Sequence, residues 1–116
     1  MEFAVSRAGT TQLTLHGGSD TTACNEAEGD LAETLESLAA EGRLTDWEIA
    51  DAAVYEHPTA PFDPYTIALE FEVTVTVDAD DADAAAEAGA AAIEAALAGT
   101  DAEPVDYASS PAVASV

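Results

Sequence analysis

From residue 65 to residue 77 every odd position is apolar or aromatic (Tyr65, Ile67, Leu69, Phe71, Val73, Val75, Val77), and the even positions read Thr66, Ala68, Glu70, Glu72, Thr74, Thr76. A period of two sends the two sets to opposite faces, which predicts a strand with one buried face and one wet face. β-branched and aromatic side chains agree with that reading, and a one-sided sheet points to antiparallel pairing. Burying such side chains stabilises by about 1.5–3 kcal/mol each, so this segment is expected to supply much of the core. It is longer than an average strand, which predicts twist, a bulge, or an end projecting beyond the sheet.

The period then changes from two to 3.6. Asp78, Asp80, Asp81 and Asp83 sit at the change, and Asp80 with Asp83 is predicted to cap a helix that Gly99 stops. Counting 100° per residue from Ile93 puts Ala82, Ala86, Gly89, Ala96 and Leu97 on the core face, small enough for close approach to a sheet. Asp83, Glu87 and Glu94 form an acidic flank. Ala84, Ala88, Ala91 and Ala95 face away from the core. Alanine fills exposed helix positions by default, and the competing reading packs this strip on a second subunit.

Elsewhere the signals are shorter. Residues 1–6 alternate through Phe3 and Val5, a glycine turn is expected near Gly9, and residues 11–16 alternate through Leu13 and Leu15: a small hairpin, or a ragged start before the first true strand. Asn25 with Glu28 has capping-box spacing, Leu31, Leu35, Leu38 and Ala39 share a face, and Gly42 stops this amphipathic helix. Trp47, Ile49, Ala53 and Tyr55 predict a strand with a bulge near Asp51. Pro58, Pro61 and Pro64 force a connection. A short strand through Val105 and Tyr107 follows residues 100–104.

The expected fold class is therefore α+β. The order strand, helix, strand, strand, helix, strand is the ferredoxin-like βαββαβ sandwich: an antiparallel sheet with two helices on one face, with room for an extra N-terminal strand. Residues 1–108 are expected to form a single domain, and 109–116 a flexible tail.

Composition changes the solvent in which this fold is pictured. The 116 residues carry 24 acids against Arg7 and Arg43, no lysine, and a net charge of −22. The apolar content of 48% and the regular periodicities exclude an acidic disordered chain for most of the sequence. Such self-repulsion is costly in dilute buffer, whereas in molar salt the screening length falls to about 3 Å. The composition resembles that of proteins from extreme halophiles. Concentrated salt also strengthens apolar burial, and 28 alanines against three isoleucines and three phenylalanines fit a core of small residues.

The same composition limits partners. No basic stripe exists to hold phosphates, which argues against nucleic acid, and the acidic surface is expected to exchange solvent cations. A single cysteine forms no internal disulfide and suits a reducing compartment. Neither a signal peptide nor a long uncharged apolar run is read, so the expected localisation is cytoplasmic.

Candidate chemistry is sparse. Cys24, just before or within the first helix, is read either as a thiol activated by the helix dipole or as a buried, inert side chain disfavoured as thiolate by Glu26 and Glu28. His16 and His57 lack metal-ligand spacing with Cys24 or with each other. The aspartates 78–83 lack the glycine and terminal glutamate of a calcium loop. Glu70 and Glu72 read as solvated acids on an open face. Trp47, Tyr55, His57, Phe62 and Tyr65 flank the proline connection and form the candidate ligand or partner patch.

No catalytic residue, cofactor or metal is assigned. The leading expectation is a non-enzymatic binding, regulatory or self-associating module, a homodimer. The alternative is a small enzyme with a site near Cys24, His16 and the proline loop 57–64.

Overall fold

The longest alternating segment finds its partner at the opposite end of the chain. A computed structural model of the protein describes residues 1–16, 18–56, 63–100, 105–107 and 110–116. Among these, five strands and two helices follow in the order β1 (Glu2–Leu15), α1 (Asp20–Ala40), β2 (Asp46–Glu56), β3 (Tyr65–Asp78), α2 (Ala82–Leu97), β4 (Val105–Tyr107) and β5 (Ala112–Ser115). The fold is α+β. All described strand pairs are antiparallel, in the order β2-β3-β1-β4, with β5 also on β1.

β1 and β3 pair without a break from Glu2 opposite Asp78 to Leu15 opposite Tyr65. At about 3.3 Å per residue this 14-residue ribbon runs roughly 45 Å. Residues 1–16 therefore form neither a hairpin nor a ragged start, and Gly9 is no turn. It lies in mid-strand, opposite Phe71 and Tyr107. A Cβ on Gly9 would come within 2.8 Å of Val105 Cγ1 and 3.4 Å of Phe71 Cζ, so glycine here serves close packing rather than chain reversal.

The odd positions of β3 predicted to face inward do so. Ile67, Leu69, Phe71, Val73 and Val75 are buried with Phe3 and Val5 of β1, and they join Leu31, Leu35 and Leu38 of α1 and Ile93 and Leu97 of α2 in one core. Glu70 and Glu72 point to the other, uncovered side and are exposed. The expected irregularity near Asp51 is present as a register shift between Ile49 and Asp51, and a second lies between Val54 and Glu56.

α1 begins earlier than the capping-box spacing at Asn25 suggests. Ser19 is the N-cap in extended backbone, and its side chain accepts the Thr22 amide at 3.2 Å. Asn25 lies one turn inside. The stripe continues through Ala23 and Ala27, both fully buried, and methyl groups gave it no signature in the alternation of large apolar side chains. At the other end Gly42 adopts φ +79, with its amide on the Ala39 carbonyl and the Arg43 amide on that of Leu38. That double bond pattern closes the helix and fixes where Arg43 begins.

α2 is capped by Asp81 rather than Asp80. Its carboxylate accepts the Ala84 amide at 2.8 Å, while Asp83 sits in the first turn. Ala85, Gly89, Ile93, Ala96 and Leu97 are buried, so the predicted core face is rotated slightly: Ala82 is exposed and Ala85 takes its place. Ala84, Ala88, Ala91 and Ala95 are exposed, as the wheel predicts.

The expected mobile tail is largely a strand. Ala112–Ser115 pairs with Phe3–Ser6 of β1, and Val113 packs on the core. Short, small side chains hide this segment in sequence, because it borrows its stability from an edge already built. Between β4 and β5, Tyr107 stands opposite Gly9 and Ala112 opposite Ser6, so five steps on one side match three on the other (112 − 107 against 9 − 6). Arg7 and Ala8 lie at that interruption.

Candidate functional site

Of the described residues singled out from sequence, Tyr55, Tyr65, His16 and Cys24 come to the end of the sheet where β1 finishes and β3 begins, and Trp47 lies apart. Trp47 stands opposite Val73 near the start of β2, while Tyr55 falls in the bulge between Val54 and Glu56 near its end. At about 3.3 Å per residue the two are roughly 25 Å apart. Trp47 packs partly buried on the core. Tyr55 is 62% exposed. Tyr65 opens β3 opposite Leu15, partly buried, and Asp20 at the start of α1 hydrogen-bonds it. Burial first, then the charge and hydrogen bond of Asp20, pushes the phenol above its ordinary value. His57 and Phe62, with Pro58 and Pro61, lie outside the described residues.

Cys24 and His16 lie on elements that meet at this end of the sheet. His16 is exposed just beyond β1. Cys24, one turn into α1, is partly buried and packs against the core. Its thiol is pushed up by burial, with Glu28, Asp20 and Asp51 adding to the effect. Burial, with carboxylates from α1 (Asp20, Glu28) and from β2 (Asp51) acting on the sulfur, opposes the thiolate a nucleophile needs.

The aspartates after β3 are engaged in chain geometry. Asp78 accepts the terminal ammonium of Met1 at 2.8 Å, and that hydrogen bond, then the charge, holds its carboxyl below the usual range. Asp81 caps α2. Among the described residues no group of three His, Cys, Asp or Glu side chains could hold a metal ion. On the open face the register sets Glu48 opposite Glu72 and Asp51 opposite Glu70. Like charges directly across a ladder repel, and their exposure leaves salt, rather than a buried partner, to relieve them.

Two residues that sequence reasoning passed over are better placed. The chain has two arginines and no lysine, and the two arginines reach consecutive residues of α2. Arg7 donates to the Glu94 carboxylate at 3.1 Å and stacks its guanidinium 4.0 Å from the centre of the Tyr107 ring. Its side chain is only 17% exposed. Beside it Glu94, Leu97, Val105 and Tyr107 line a shallow groove of about 350 Å³. Arg43 donates to the Ala95 carbonyl at 2.6 Å, an acceptor that the last turn of a helix leaves open. It borders a second groove of about 280 Å³ with Thr45, Thr76, Ala92 and Ala95. The signal available in sequence was scarcity: two cations among 24 acids have few indifferent places to sit.

No helix among the described residues is long and apolar enough to cross a membrane. Compared with models of protein families, with curated proteins and with solved structures, the chain has no match.

Proposed function

We propose that this protein is a non-enzymatic, self-associating module, a homodimer, adapted to a salt-rich cytoplasm. The observation that carries the reading is the outer face of α2. In a chain with 24 acids, this face presents Ala84, Ala88, Ala91 and Ala95 to solvent. Acids are the cheap choice for a solvated helix face under such a composition, and a row of methyl groups suits contact with another surface. The reactive candidate gives no counterweight: the Cys24 thiol is pushed toward its neutral form.

The topology fits the ferredoxin-like reading when β4 and β5 are taken as one interrupted edge strand. The order β2-β3-β1-β4, with a helix after β1 and another after β3, supports the split βαβ reading. That architecture hosts many functions and names none. Light scattering behind a sizing column in molar KCl tests the proposal. A mass twice that of the chain supports it, and a monomer across the micromolar range overturns it.

A further inference from the structure

We infer that the second copy docks antiparallel on α2, with Arg43 of each copy against the aspartates that open α2 of the other. The inference rests on the self-association reading above and specifies its surface.

The charge along α2 is polarised. Its N-terminal end carries Asp80, Asp81 and Asp83. Its C-terminal end receives both arginines, at Glu94 and Ala95. Arg7 is neutralised there by Glu94. Arg43 is exposed and, among the described residues, pairs with no carboxylate. In a chain of net charge −22, an accessible guanidinium left without an acid is complementary to a carboxylate from outside. Every copy offers such carboxylates at the start of α2.

The exposed row has a matching symmetry. Ala84, Ala88, Ala91 and Ala95 are spaced four, three, four, and so read the same in both directions about a point between residues 89 and 90. An antiparallel copy therefore sets Ala84 opposite Ala95 and Ala88 opposite Ala91. Methyl side chains let helix axes approach at the near end of the usual 8–10 Å. The same pairing brings Arg43, held at Ala95, to the Ala84 end of the other helix, beside Asp80 and Asp81. By 100° steps Asp81 lies on the side of the row occupied by Ala92 and the Arg43 groove. A two-fold axis across the helices keeps like sides together, so the Arg43–Asp81 contact forms twice. Antiparallel helix dipoles add to it.

On the other flank Asp83 of each copy comes close to level with Glu94 of the other, with Glu87 between them. That repulsion acts over several ångströms and is screened when the Debye length falls to about 3 Å in molar salt, whereas a direct guanidinium–carboxylate contact is screened less. The dimer accordingly tightens as salt rises.

The test uses the full chain in molar KCl, with Cys24→Ser as background so that each variant holds one thiol. Ala84→Cys and Ala95→Cys chains, mixed under mild oxidation, are expected to give a disulfide-linked dimer that neither gives alone. Ala88→Glu, at an exposed position and with a strong helix former, is expected to leave a folded monomer. Arg43→Gln keeps a donor for Ala95 and, because the contact forms twice, is expected to weaken the dimer roughly two- to thirtyfold, the range of two exposed ion pairs. A dimer that survives Ala88→Glu and shows no 84–95 crosslink overturns the α2 surface while the self-association reading stands. A monomeric unsubstituted chain overturns both.

Discussion

Gly89 of α2 rests directly on Val5 of β1, so that a methyl group at residue 89 would overlap the Val5 side chain. This contact sets how closely the alanine-rich helix lies on the sheet, and with it how a core of small residues closes around Ile93 and Phe71.

Gly89→Ala is expected to destabilise the fold by up to about 2 kcal/mol, an overpacking cost of about 1–3 kcal/mol against Val5 less a helix-propensity gain of about 1 kcal/mol. Gly29→Ala provides the control. It sits mid-helix in α1 with nothing within 4 Å of its virtual Cβ, so it is expected to stabilise by about 0.5–1 kcal/mol. Denaturant melts in molar salt measure both, and a stabilising Gly89→Ala would refute the contact.

Arg7 ties the last part of the chain to α2 through Glu94 and the Tyr107 ring. Arg7→Met keeps the apolar stem and removes the charge. The expected result is a loss of about 1–2 kcal/mol, combining a cation–π contact with a part-buried ion pair. Hydrogen exchange reports the location: amides of Val105–Tyr107 are expected to exchange faster, with those of Leu69–Val73 little changed.

The salt requirement has a local cause as well as a global one. Glu48 faces Glu72 across the β2–β3 ladder, so Glu72→Gln is expected to stabilise by several tenths of a kcal/mol in dilute buffer. In molar salt the gain is expected to vanish. Thermal melts across a KCl series check this, together with the expectation that the unsubstituted chain melts far higher in brine. A melting temperature independent of salt would contradict both.

Cys24 gives a pH signature. Its folded thiol titrates above the ordinary value, chiefly from burial. For an acid raised on folding, the folded state holds its proton longer than the unfolded chain. The associated stability is therefore complete below the ordinary thiol value and is lost as pH rises from there through the folded value. Alkylation by iodoacetamide is expected to be slow at neutral pH and to accelerate only in the alkaline range. Rapid neutral labelling of the folded protein would restore Cys24 as a reactive group.

The amino-acid order alone determined what depends on neighbours a few residues away. The alternation of Ile67, Leu69, Phe71, Val73 and Val75 fixed the inward face of β3, since a two-residue period leaves no other choice once one face is apolar. The φ +79 stop at Gly42 was legible for the same reason, whereas α2 is left at Ala98 in extended backbone and Gly99, at φ +76, serves the turn that follows. The exposed row of alanines on α2 followed from 3.6-residue geometry.

Tertiary structure decided whatever rests on a surface supplied from far along the chain. Gly9 reads as a turn until Val105 and Phe71 are brought against it, and then its missing side chain becomes a packing requirement. Residues 112–115 carry no strand signature, yet they become β5 because β1 presents an open edge. The two arginines were isolated charges in the sequence. Only the placing of β1 and of the turn after α1 beside α2 delivers both to adjacent residues of one helix, because electrostatic pairing is set by distance in space and leaves no periodic trace along the chain.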